Sequence, residues 1–186
     1  LTRSDGTPVG AVRGFMTMML RLVEDHAHDY FAVIFDAKGE TFRNKIYDQY
    51  KANRDAPPED LRPQFPIVRD ATRALNLSCI EKDGFEADDI IATYAQVGAK
   101  AGLDVVIVSS DKDLMQLVDD RVCMFDPMKQ RTIRHDEVVE KFGVGPDRVV
   151  DVQALAGDSV DNVPGVPGIG VKTAALLINE YGDLDV

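Results

Sequence analysis

The sequence predicts an α/β fold in which a mostly parallel sheet, flanked by helices, is followed by a smaller helical region. Tyr30-Phe31-Ala32-Val33-Ile34-Phe35 and Asp104-Val105-Val106-Ile107-Val108 are short, nearly continuous apolar runs rich in β-branched and aromatic residues, the pattern of buried strands. Each follows a stretch with helical apolar spacing, Ala11 to Val23 before the first and Ile90 to Ala101 before the second. Strands alternating with helices imply a parallel sheet covered on both faces. Weaker strands are expected at Leu77 to Glu81, Val122 to Phe125 and Arg131 to Arg134, and after Asp136 the chain turns to short helices broken by Gly and Pro.

With 186 residues, 45% hydrophobic and 28% charged, the chain can bury the core of one domain, or of one domain and a small appendage. It has no apolar run of about eighteen residues and no basic-then-apolar leader, so a soluble, cytoplasmic protein with no membrane span is expected. Cys79 and Cys123 lack partners at metal-ligand spacing, and two buried thiols are expected rather than a disulfide. The chain starts at Leu1 rather than Met, and Gly182 to Val186 stop without a closing element, so a fragment cut at both ends is expected. A net charge of −11 argues at first against a nucleic-acid partner. Its distribution reverses that: Arg43, Lys45, Lys51 and Arg54 stand against Asp48 alone between residues 43 and 54, a local +3.

The surplus acid gathers in three motifs: Gly84-Phe85-Glu86-Ala87-Asp88-Asp89, Ser110-Asp111-Lys112-Asp113, and Gly157-Asp158-Ser159-Val160-Asp161-Asn162. If Glu86 opens a helix, Glu86 and Asp89 share a face at i,i+3. Asp111 and Asp113 follow a strand, where i,i+2 side chains point the same way, and Asp36 also ends a strand. Ligands of an open α/β sheet sit outside the carboxyl ends of its strands, so these acids are expected to converge on one crevice. Crowded carboxylates resist ionising unless a positive group joins them. Oxygen donors without a His or Cys cluster select Mg²⁺ or Mn²⁺, and two such ions about 3.5–4 Å apart form a clamp for phosphodiester hydrolysis. The competing reading for any single motif is helix capping and macrodipole compensation.

Between Lys38 and Gln64 lies a polar stretch longer than an ordinary connection, which implies a functional or disordered segment. Within it, Tyr47, Tyr50, Lys51 and Arg54 fall at i, i+3, i+4, i+7, one face if the segment is helical. Aromatics that stack on bases, interleaved with cations, suit a flexible single strand; a solvated helix with core-facing tyrosines fits the spacing equally well. Farther on, Val163-Pro164-Gly165-Val166-Pro167-Gly168-Ile169-Gly170-Val171-Lys172-Thr173-Ala174 reads as helix end, glycine turn and new helix. Such a hairpin lets backbone N–H groups of Gly168 and Gly170 approach a phosphate, against the alternative of a plain Pro/Gly connector. The Gly-x4-Gly-Lys-Ser/Thr spacing of a nucleotide-binding P-loop is absent.

Taken in order, Phe35-Asp36-Ala37-Lys38-Gly39 with Thr41-Phe42-Arg43, Tyr50-Lys51-x-x-Arg54, the three acidic motifs and the Pro164-to-Gly170 run resemble the 5′ nuclease (5′-3′ exonuclease, flap endonuclease) domain of bacterial DNA polymerase I, over essentially the whole chain. The resemblance implies a PIN-like nuclease region over 1–135, with a helical arch at about 40–64, and a helix-hairpin-helix (H3TH-like) DNA-binding region over 136–186. It implies metal ligation by Glu86, Asp88, Asp111 and Asp113, with Asp36, Asp89, Asp158 and Asp161 completing the cluster around two Mg²⁺ or Mn²⁺ ions. It further implies a K⁺ ion at the hairpin. Lys51, Arg54 and Asp36 are the implied catalytic residues, and Arg43, Tyr47, Tyr50, Lys51, Arg54, Gly165, Gly168, Gly170 and Lys172 the implied DNA contacts. The family's opening strand, with a further metal-binding Asp in a Leu-Val-Asp-Gly-like motif, has no counterpart after Leu1, because Asp5 is preceded by polar Thr2-Arg3-Ser4. The implied activity is cleavage of DNA at 5′ flaps, nicks and duplex 5′ ends in primer removal and repair, by a monomer joined to a C-terminal polymerase region. Two other readings remain at this point: a non-catalytic junction-binding module and a PIN-like single-strand ribonuclease.

Overall fold

The computed structural model describes residues 1–184. In chain order the elements are α1 (Gly10–Asp25), β1 (Ala32–Ile34), α2 (Phe42–Ile46), α3 (Gln64–Ala74), β2 (Ser78–Ile80), α4 (Ala87–Lys100), β3 (Val105–Val108), β4 (Val122–Asp126), β5 (Arg131–Ile133), α5 (His135–Phe142), α6 (Val149–Ala156) and α7 (Val171–Tyr181), with 3-10 turns at Lys112–Leu117 and Pro146–Arg148. They divide into two compact units, residues 1–38 with 55–87, and residues 39–54 with the chain from 88 onward. Of the stretch Gly182 to Val186, residues 185 and 186 lie outside the described part. Among the described residues no helix is long and apolar enough to cross a membrane.

In the first unit β1 and β2 pair in parallel, Val33 opposite Cys79. Met19 and Leu22 of α1 and Val68 and Thr72 of α3 are buried, and both helices repeat their buried positions at helical spacing. Buried Gln64 ties the helices together: its Oε1 accepts the N–H groups of Ala11 (2.8 Å) and Val12 (3.2 Å), amides at the start of α1 that have no partner within the helix. The buried Thr72 hydroxyl donates to the Val68 carbonyl one turn back, at 2.9 Å.

In the second unit β4 is central, parallel to β3 and antiparallel to β5. Val122, Cys123, Met124 and Asp126 of β4 are all buried, as a central strand requires. One apolar core joins Ile107, Met124 and Ile133 of the sheet to Val138 and Phe142 of α5, Val149 and Val152 of α6, and Ala174, Ala175 and Ile178 of α7. The helical region therefore shares the sheet's core. Asp126 is the polar exception: its Oδ1 accepts the Ser110 hydroxyl (2.8 Å) and the amides of Met128 (2.9 Å) and Lys129 (3.1 Å). Burial pushes its pKa up, but these donors and the Lys129 charge outweigh that and leave it below the ordinary 3.8.

The predicted helices and strands are all present, with three corrections. The strands form separate two- and three-stranded sheets rather than one, and β3 is not covered on both faces, since Val106 and Val108 are 54% and 38% exposed. The segment 42–54 is not one helix: α2 stops at Ile46, and Lys51 takes a left-handed backbone (φ 55°) that a helix cannot contain. Of the two thiols, both free, only Cys123 is buried, because Cys79 lies on a strand with a single neighbour.

Replacing buried Asp126 by Ala removes three hydrogen bonds to a charged acceptor, from the Ser110 hydroxyl and two amides, an expected loss of about 2–3 kcal/mol in urea unfolding at neutral pH. Because the folded pKa lies below the unfolded one, that advantage is present above 3.8 and lost as pH falls through the lower folded value. A wild-type advantage that persists unchanged in acid contradicts this assignment.

Candidate functional site

The acidic residues of the second unit are organised by the turn after α6. Gly157 ends that helix at φ 73°, and Asp158 and Val163 exchange backbone hydrogen bonds (2.7 and 2.8 Å) that close a short loop. A Cβ on Gly157 or Gly165 would stand 2.4 Å from backbone atoms of the other's segment, so both positions require glycine for the two strands of the loop to meet. Inside the loop the Asp158 Oδ1 accepts the amides of Val160 (2.8 Å) and Asp161 (3.3 Å), which fixes its carboxylate.

The other Asp158 oxygen accepts Lys112 Nζ, and the same ammonium donates to Asp113 Oδ1 at 2.9 Å. Gln153 Nε2, from α6, also donates to Asp113 Oδ1, at 2.6 Å. Asp111 caps the 3-10 turn by accepting the Asp113 amide at 3.0 Å, so the spacing of Asp111 and Asp113 is that of a cap rather than of one strand face. Burial pushes the Asp158 pKa up, yet Lys112 and the Val160 and Asp161 amides bring it below 3.8. Burial likewise lowers Lys112, and its two carboxylate partners raise it above 10.5.

Asp161 faces the basic segment. Its carboxylate accepts the Tyr50 hydroxyl (3.1 Å) and an Arg54 guanidinium N–H, and Lys51 Nζ stands 3.7 Å away. Tyr50, Lys51 and Arg54 thus converge on one anion from a turn rather than from a helix face. Arg43 and Asp89, expected as a DNA contact and a metal ligand, bind each other through two hydrogen bonds of 2.8 and 2.7 Å. Tyr47 caps the end of α2, and Asp88 lies in the first turn of α4.

In the first unit, Asp36 Oδ1 accepts the Ala87 amide at 2.7 Å, and Glu86 precedes the helix rather than opening it. Beyond the acidic turn, Gly170 caps α7, Lys172 is exposed in its first turn, and Gly168 (φ 82°) and Gly170 have open space where a Cβ would stand. Gly165, by contrast, is packed against Ala156 and Gly157.

Asp36 and Glu86 lie in the first unit and the other expected acids in the second. Among the described residues no three His, Cys, Asp or Glu side chains gather as an ion site. Close carboxylates are neutralised by the nearest cations, and four of the expected acids are: Asp89 takes Arg43, Asp161 takes Arg54 and Lys51, and Asp113 and Asp158 share Lys112. The last pair is still informative about a metal. Two hard-oxygen donors converge on a single positive group, and Mg²⁺ is commonly held by one or two carboxylates with water completing its shell, so these residues fit such an ion. Sequence reasoning passed over Lys112 and Gln153; an ammonium between two acids in Asp-Lys-Asp was the available signal for the first.

Residues 1–143 match the family model described as the 5′-3′ exonuclease N-terminal resolvase-like domain, and residues 144–186 the 5′-3′ exonuclease C-terminal SAM fold. All of the chain aligns with DNA polymerase I of Rhizobium leguminosarum at 58% identity, spanning 19% of that protein. It also aligns in full with a 5′-3′ exonuclease of Aquifex aeolicus at 40% identity, spanning 64% of it. The T5 D15 protein co-crystallised with metal ions superposes with a TM-score of 0.83 at 25% identity, over 95% of this chain and 70% of that one. The catalytic core of Rad2 in complex with DNA shares the fold, with a TM-score of 0.62 at 15% identity, over the whole of this chain and 57% of that one.

The ion pair of Asp158 with Lys112 is expected to stabilise the protein fully between the ordinary values of 3.8 and 10.5. It is lost as pH falls through the lowered Asp158 value or rises through the raised Lys112 value. Without added metal, unfolding of wild type and Lys112→Met across that range measures this, and equal stability of the two at neutral pH counts against the pairing.

Proposed function

The chain belongs to the 5′-3′ exonuclease family, and on that footing we propose that it is the 5′ nuclease region of a DNA polymerase I, hydrolysing DNA phosphodiesters at 5′ flaps, nicks and 5′ ends with a divalent cation, Mg²⁺ or Mn²⁺. The chain spans about a fifth of the DNA polymerase I relatives it matches, so the polymerase region is part of this proposal. One observation carries the reading beyond family: Tyr50, Lys51 and Arg54 close around the Asp161 carboxylate, an oxyanion of the chain itself, beside the Asp113–Asp158 pair. A group set that binds a carboxylate oxyanion through hydroxyl, ammonium and guanidinium donors also suits a phosphate.

In this reading Lys51 and Arg54 leave Asp161 for the scissile phosphate and offset the charge that grows on its oxygens as the P–O bond to water forms and the bond to the leaving oxygen breaks. Asp88, Asp89, Asp111, Asp113, Asp158 and Asp161 are the expected metal-binding acids of the second unit, with Asp113 and Asp158 the pair already directed at one positive group. A bound divalent cation supplies a more acidic water and neutralises charge on the phosphate. The open hairpin glycines Gly168 and Gly170, with Lys172, suit sequence-independent contact with the duplex backbone.

In the full-length protein, Asp113→Asn is expected to lower the single-turnover rate on a 5′-flap duplex by about 100-fold or more, while flap affinity in EDTA stays near wild type. Wild-type cleavage that continues in EDTA sinks metal-dependent hydrolysis. Flap binding with no cleavage under any divalent ion replaces the nuclease by a junction-binding module.

A further inference from the structure

The basic segment and the acidic turn are joined by more than charge. Asn53 Nδ2 donates to the Ser159 carbonyl (2.8 Å), Asn162 Nδ2 donates to the Gln49 carbonyl (2.7 Å), and between them the Lys51 amide donates to the Asp161 carbonyl (2.9 Å). Each asparagine reaches across to the backbone of the other segment, so the three bonds form a reciprocal clasp. Both asparagines lie in motifs singled out in the sequence, Tyr50-Lys51-x-x-Arg54 and Asp161-Asn162-x-Pro164, without a role there.

Two features separate this clasp from ordinary packing. Both side-chain bonds are exposed to water, where a neutral hydrogen bond contributes little to stability. The clasp also holds Lys51 (φ 55°) and Asn162 (φ 57°) in left-handed backbone conformations, which cost free energy and persist only where the surroundings over-determine them; Asn tolerates this region better than Lys does.

We propose that Asn53 and Asn162 are positioning residues, which keep the phosphate-binding cations Lys51 and Arg54 registered against the acidic turn while their side chains exchange Asp161 for substrate. The charged contacts to Asp161 must be given up when a phosphate arrives. None of the three clasp bonds uses a group the phosphate needs, so the Lys51 backbone stays fixed to Asp161 as its ammonium is reassigned. The cations then need not be repositioned in each catalytic cycle, the kind of geometric holding on which rate, more than affinity, depends.

This inference rests on the nuclease reading, and its test separates the two. Asn53→Ala and Asn162→Gly, the latter keeping the left-handed backbone free of strain, are compared with wild type in the full-length protein. The expected result is faster hydrogen exchange at the Lys51 amide, a single-turnover flap-cleavage rate lower by on the order of tenfold, and flap affinity in EDTA within about twofold of wild type. The stoichiometry of flap binding counts the folded molecules, so misfolding cannot imitate the rate loss. In a background with both Lys51→Ala and Arg54→Ala the same changes should cost less than about twofold further, because the clasp acts through these two cations; a general structural role would add in full. Accelerated exchange with an unchanged cleavage rate, or full additivity in the background lacking both cations, overturns the positioning role. A wild-type protein that protects the Lys51 amide but cleaves no flap overturns the nuclease reading instead.

Discussion

Carboxylates brought close together must be neutralised, and the second unit is organised around how this is done. Lys112 spans Asp113 and Asp158, and Arg54 and Lys51 cover Asp161. The acids of these pairs are sheltered, the Asp158 and Asp161 side chains being 13% and 16% exposed, while the Arg54 side chain is half exposed, so the Lys112 contact to Asp158 is screened less than that of Arg54 to Asp161. The same arrangement leaves acids and cations of opposite duties side by side. A phosphodiester nuclease needs both at one place, the acids for a metal and the cations for the phosphate.

Backbone geometry makes that proximity possible. Gly157 and Gly165 approach so closely that no side chain fits at either, and this closes the loop that presents Asp158 and Asp161. The loop follows α6, whose Val149 and Val152 belong to the core shared with the sheet and with α7. The acidic turn is therefore anchored through buried apolar packing rather than through its own exposed residues. Gln153, on the same helix, reaches Asp113 and couples the strand-end acids to the turn.

Much of the fold was legible because hydrophobic periodicity reports burial directly. The helical spacing before each β-branched run located α1, α4, β1 and β3, and weaker runs located β2, β4 and β5. Errors arose where the local pattern was ambiguous. The i, i+3, i+4, i+7 spacing of Tyr47, Tyr50, Lys51 and Arg54 suggested a helix, yet the Lys51 amide and Asn53 bond to the 159–162 turn, and Asn162 of that turn bonds back to Gln49, more than a hundred residues away, which holds the segment as a turn instead. No window of the sequence contains both partners.

The sequence by itself determined the α/β class, the family, and the set of acids and cations available for chemistry, since these depend on residue type and local order. Only the tertiary structure decided which acid meets which cation: Asp89 with Arg43, Asp161 with Arg54 and Lys51, Asp158 with Lys112. It also decided that Gly165 is a packing residue and that Asn53 and Asn162 join distant segments. The reason is physical: charge and hydrogen-bonding capacity are properties of a residue, whereas the partner that satisfies them is fixed by which segments the shared core and the glycine turns bring together.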